Sequence, residues 1–131
     1  MAERVLAYET REGQPAESAI AVILKVCEKL RSHLSVLMGN AGFRALLQRA
    51  LALARAEAPW LRAVLVGADG RLNGFDALES QVDSARIAEG GTILLAQLLG
   101  LLAAFIGENL TLGIVREVWP KLSVDDLNSG D

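Results

Sequence analysis

The chain has one cysteine and one histidine among 131 residues. A single thiol, Cys27, excludes an internal disulfide and suits a reducing compartment. Cys27 and His33 together fall short of the four ligands of a structural zinc site, so no metal and no cofactor is expected. Aromatic residues make up 5% of the chain, and its 13 basic side chains are outnumbered by 16 acidic ones. Nucleic-acid recognition rests on a basic footprint, and single-strand binding also needs stacking platforms. The sequence shows neither, so nucleic acid is not an expected partner. Met1 to Gln14 scatters Glu3, Arg4, Glu9, Arg11 and Glu12 among apolar residues, without the basic-then-apolar order of a signal peptide.

Apolar residues are what the chain has in abundance, at 52% of the total, with a mean hydropathy of +0.33. The length fits one domain, which buries roughly two thirds of its unfolded surface. One core of that size cannot hide so much apolar surface. The excess is expected outside, as a homo-oligomer interface, a groove for a protein partner or a membrane-facing side.

The order of residues predicts a mainly α fold, a small bundle of about four helices with a short β-hairpin near residues 61–75. Residues 1–15 read as an N-terminal arm, 16–122 as a single helical domain, and 123–131 as an acidic disordered tail. Ile20, Ile23, Cys27, Leu30, Leu34 and Leu37 alternate spacings of three and four, a helical seam from about Ala16 to Met38. Gly39 can end that helix and Asn40 can cap the next, which stops at Pro59. Leu61 to Val66, the turn Gly67-Ala68-Asp69-Gly70 and Leu72 to Phe75 read as the hairpin. Asp76 and Glu79 have the spacing of a capping box for a short helix, and Gly90-Gly91 reads as a break.

The usual chemical motifs fail on inspection. His33 on a helix invites comparison with histidine phosphotransfer domains, but the Lys and close Gly of that motif are missing from His33 to Gly39. Asp69-Gly70-Arg71 starts like a calcium loop, yet Arg71 stands at the third ligand position and Ser80 at the twelfth. No glycine cluster matches a P-loop or a dinucleotide fingerprint.

The most informative stretch is Thr92 to Gly107, in which Gln97 is the only strongly polar side chain. A helix apolar nearly all round is expected at the centre of a bundle; the run falls short of the roughly 20 residues that span a bilayer, which makes a membrane the less favoured setting. Ala96, Gly100 and Ala104 recur every four residues, with Glu108 extending the stripe. Small residues at that spacing let another helix approach closely, so these four are the expected packing or interface residues. Glu108 follows so apolar a run that burial and an ion pair with Arg116, or with Arg49, are expected of it. The function that follows is a non-catalytic regulatory or adaptor domain. It would act by helix-mediated self-association and protein binding in the cytoplasm, in a bacterial signalling or regulatory system. A helical carrier of a small apolar ligand and a peripheral membrane protein are the alternatives.

Overall fold

The computed structural model describes residues 1–12 and 18–121, so the expected acidic tail and the end of the expected arm lie outside it. The fold is mainly helical with one small hairpin, in the order α1 (Ala2–Glu12), α2 (Ala19–Glu57), a 3-10 turn (Pro59–Ala63), β1 (Leu65–Val66), β2 (Leu72–Asn73), α3 (Phe75–Glu79), α4 (Ser84–Ile106) and α5 (Glu108–Val118). Five α-helices therefore stand among the described residues.

The expected arm is largely a helix. Ala2, Val5 and Glu9 recur at helical spacing and are all buried, because α1 packs against α2 and α4. Glu9 is 2% exposed. Its carboxylate accepts a hydrogen bond from Trp119 Nε1 at 2.6 Å and pairs with Lys29. A buried carboxylate is tolerable only with such partners, and this one clasps the first helix to the second and to the far end of the chain.

Ser18 caps α2, its hydroxyl accepting from the Ala21 N–H at 3.1 Å. The two expected helices are two limbs of α2, separated at Gly39, whose φ of 78° and ψ of 163° break the helical path. The buried stripe of the first limb includes Val22 and Val26 and ends at Leu34; Leu37, expected on the seam, is 62% exposed. Asn40 does not act as the expected cap. Its side-chain amide donates to the Ala68 carbonyl at 3.3 Å and tethers the hairpin turn.

The 3-10 turn after Pro59 is held by Arg55, whose guanidinium donates to the carbonyls of Leu61 (3.4 Å) and Val64 (2.6 Å). The strands are two residues each and antiparallel, with Leu65 opposite Asn73 and Val66 opposite Leu72. Gly74 has a φ of 101°, and a Cβ there would collide with the Ala63 carbonyl oxygen; only glycine fits. The expected capping box does not form: Gly74 occupies the cap position of α3 and Asp76 lies in its first turn.

Asp83 caps α4 by accepting from the Arg86 N–H at 2.9 Å. Gly90-Gly91, expected as a break, lies inside this helix. A Cβ on Gly91 would overlap Ile23 of α2, and one on Gly90 would sit 2.9 Å from Trp60 Nε1. The glycine pair therefore lets α4 approach the first limb of α2 and the 3-10 turn with no room for a Cβ between them. Ile87, Leu94, Leu95, Leu98, Leu99 and Leu102 continue the same buried stripe. The core formed this way also takes in Phe43, Leu47, Leu51 and Trp119.

Candidate interaction surface

The helix expected at the centre of the bundle is buried on one side only. Ala96, Gly100, Ala104 and Glu108 are all exposed, and a Cβ on Gly100 would meet nothing within 4 Å. The small residues Ala96, Gly100 and Ala104 share one face of α4, and that face points away from the rest of the described chain. Spacing alone shows that residues share a face; which face the fold covers depends on the competing stripe, and here the more strongly apolar stripe through Leu94, Leu98 and Leu102 takes the interior.

Glu108 and Arg116 are both exposed, and no ion pair joins them or links Glu108 to Arg49 among the described residues. Gly107 (φ 96°) ends α4 and makes Glu108 the first residue of a new helix, and spacing along that helix keeps it from Arg116. Arg116 stands eight residues along that helix, about 12 Å farther on, beyond the reach of an i,i+4 pair.

Beside the exposed stripe lies a groove of about 560 Å³ between α4 and the second limb of α2. Its walls are Met38, Ala45, Leu46, Leu101, Ala104 and Phe105, with Gly42 in it and Arg49 as its one charged residue. The helical spacing of residues 42, 45, 46 and 49 brings them to one face of α2, as that of 101, 104 and 105 does on α4. Phe105 lines the groove while leaving 75% of its surface in water, and Leu110 beyond the Gly107 break is 64% exposed. Before the Gly39 break, Val36 is 85% exposed. Sequence reasoning missed these large exposed residues. The available signal was that Val36 neighbours Ser32 and Ser35 off the main seam, that Leu37 is the last seam position before Gly39, and that two helix-breaking glycines each adjoin apolar residues.

The other expected residues have quieter settings. His33 is half-buried, with Nε2 3.0 Å from a Glu117 carboxylate oxygen, and links α2 to α5. Cys27 is buried in the core, and burial pushes its thiol up to about 12. Among the described residues no group of three His, Cys, Asp or Glu side chains could hold a metal ion. A smaller apolar cleft of about 250 Å³ lies between α1, α2 and α4, lined by Leu6, Val22, Ile23 and Thr92; small-molecule sites usually begin near 300 Å³.

A charged cluster joins α2 to the hairpin. Glu28 accepts from Arg31 Nε at 2.9 Å and from Arg71 Nε and Nη2 at 3.3 Å. Those two guanidinium groups hold its carboxyl down at about 2. Arg71 also stands near Asp69, and the turn is closed by the Gly67 N–H donating to the Arg71 carbonyl at 2.8 Å. The cluster is internally satisfied, so its charges hold the hairpin against the helix and leave little demand for a ligand. No family model, curated protein or solved structure matches this chain. Among the described residues, the groove beside Phe105 and the open face of α4 form a surface whose apolar demand the fold leaves unmet.

Proposed function

We propose that this chain is a regulatory or adaptor domain that works by binding, and that it self-associates through the face formed by α4 and the second limb of α2. The observation that carries the reading is Phe105, a phenyl ring 75% exposed at the edge of an apolar groove. Monomers rarely leave contiguous apolar patches beyond about 300–600 Å² without a use for them. The setting we propose is the cytoplasm of a bacterium, on the lone thiol and the Ala-, Leu- and Arg-rich composition. Light scattering across a concentration series tests the reading: a mass of two chains or more, falling on dilution, is expected. A mass of one chain at high micromolar concentration in the absence of detergent would overturn it.

One observation favours a second reading. The 23-residue α4 is long and apolar enough to cross a bilayer by length and composition, and less than half of its most apolar stretch is buried. This exceeds the run counted from Thr92, because the helix starts at Ser84. A helix half-covered by its own fold can rest on a membrane surface by its open side. Flotation with liposomes by a chain that remains monomeric in solution would favour this reading over self-association.

A further inference from the structure

We propose that the β-hairpin is a flap latched by charge over a cavity against the first limb of α2, and that it opens as a unit, more readily at high salt, while the helices stay folded. The inference is independent of self-association. A two-stranded hairpin is marginal on its own and stays closed through what it rests on. Of the four strand residues Leu72 alone is buried; Leu65 and Asn73 are exposed and Val66 is half-buried. The two ends are held more firmly. Val64 and Phe75 both lie in the core, and Gly74 packs against the Ala63 carbonyl too closely for a Cβ. At the tip Gly70 sits against Phe43 and Arg31 with no side chain of its own. Residues 65–73 are therefore pinned at their base and lightly seated beyond it.

Polar groups fasten the outer part. Arg71 donates from Nε and Nη2 to Glu28 at 3.3 Å, and Asn40 and Arg44 donate to the Ala68 carbonyl, also at 3.3 Å. The Arg71 and Glu28 side chains are 58% and 42% exposed. Contacts this long between exposed groups gain little over water, and salt screens the charged pair. The hairpin also does not seal against the helix. A cavity of about 430 Å³ lies between them, lined by Leu24, Cys27 and Glu28 of α2 and by Asp69, Arg71 and Leu72 of the hairpin. Lifting residues 65–73 about their base removes one wall of that cavity and brings Cys27 to water. Leu72 is the one strand side chain that leaves the core. Few buried apolar contacts and exposed hydrogen bonds are what mark a unit that opens below the free energy of global unfolding. Ionic strength is thereby coupled to access to a cavity of small-molecule size.

Cys27 is the chain's one thiol, so its labelling by an uncharged disulfide reagent reads the opening in the full native chain. Rates are taken at about 0.02 M and about 0.5 M salt for the parent, Arg71→Gln and Arg44→Gln, each divided by the rate of the urea-unfolded chain at the same salt. Urea unfolding gives the rate that global unfolding alone would allow, and circular dichroism checks that each variant keeps its helices. The parent is expected to label at least about tenfold faster than that limit, and up to about fivefold faster at the higher salt than at the lower. Arg71→Gln should raise the low-salt rate up to about fivefold and remove the salt response. Arg44→Gln loosens a contact to a neutral carbonyl, so its rate should rise while the salt response stays. A parent rate equal to the global limit would show that the hairpin opens only with the bundle, and would overturn the flap. A faster rate that neither salt nor Arg71→Gln changes would overturn the charge latch. The salt series on the parent decides the latch without any variant.

Discussion

Two glycines in α4 invite the same substitution with opposite results. In a helix interior, alanine is favoured over glycine by about 1 kcal/mol. At Gly100 nothing lies within 4 Å of the added carbon, so Gly100→Ala should stabilise the fold by about that amount. At Gly91 the added carbon would overlap both Cγ1 and Cδ1 of Ile23. Rotation about the outer bond moves only Cδ1; Cγ1 is fixed by χ1, which a β-branched residue in a helix cannot easily change. Ile23 is 3% exposed and lies in the packed core, so the backbones of α2 and α4 must separate by ~1 Å to restore ordinary contact. Overpacking of this kind costs about 1–3 kcal/mol. With the propensity gain set against it, Gly91→Ala should lose about 1 kcal/mol, and the two variants should differ by about 2 kcal/mol, or about 8 °C in Tm for a chain of this size. Urea unfolding at two chain concentrations measures the difference and shows any contribution of self-association as a concentration dependence. Ile23→Ala provides the decisive control, since in its background Gly91→Ala should become neutral or stabilising. A Gly91→Ala protein as stable as Gly100→Ala, or one whose loss persists after Ile23 is trimmed, would refute the close approach of α2 and α4 at this point.

Three further outcomes follow from the packing. Glu9→Ala leaves the buried Trp119 N–H without an acceptor and should cost about 2–3 kcal/mol, seen in urea unfolding followed by tryptophan fluorescence; a loss below about 0.5 kcal/mol would show that the clasp carries no weight. Glu28 has a folded pKa depressed to about 2 from an ordinary value of 4.5, so its contribution is present above pH 4.5 and lost as pH falls toward 2. Protection of the amides of residues 67–71, relative to their intrinsic exchange at each pH, should therefore fall over that window in the parent and change less in Glu28→Gln, which lacks the titrating group; identical profiles would contradict the assignment. Cys27, buried with its thiol raised to about 12, should react with a thiol reagent at pH 8 only as fast as the fold opens, and Cys27→Ala should fold with reduced stability; labelling at the rate of a free thiol would place Cys27 on the surface.

What was legible in the sequence was periodicity and punctuation. The spacings of Ile20, Ile23, Cys27, Leu30 and Leu34, the stop at Pro59 and the turn from Gly67 to Gly70 all reappear as helix, helix end and hairpin. What was not legible depended on contacts between distant residues. Glu9 reads as one more charge in a polar stretch until Trp119, 110 positions away, comes to rest against it. Gly90-Gly91 reads as a break because local propensity penalises two adjacent glycines; the packing of α4 against Ile23 and Trp60 outweighs that penalty. Glu108 looks buried because the residues before it are apolar, but Gly107 changes the direction of the chain before it.

The same reasoning explains why the candidate surface lies where it does. α4 carries two stripes that could each be buried, the leucines through Leu94, Leu98 and Leu102 and the small residues through Ala96, Gly100 and Ala104. Burying a leucine gains roughly 1.5–3 kcal/mol over leaving it in water, and burying an alanine or glycine gains far less. Folding therefore turns the leucines inward and leaves the small residues outside, where they can serve a second contact that needs close backbone approach more than apolar area. Large exposed residues stand where the helices stop. Gly39 and Gly107 both have positive φ and open space around them, so the last turns before them, with Val36, Leu37 and Phe105, have no continuing helix to hold them against the core. A substitution that removes the break tests this directly. Gly107→Ala would force a residue with a Cβ to φ 96° and ψ 155°, a region kept almost wholly for glycine that costs an L-residue about 1–3 kcal/mol. The expected result is a loss of stability of that size together with weaker self-association, because the position of Phe105 relative to the groove depends on where α4 ends. Loss of stability with an unchanged dimer constant would show that the end of α4 matters to the fold and not to the interface.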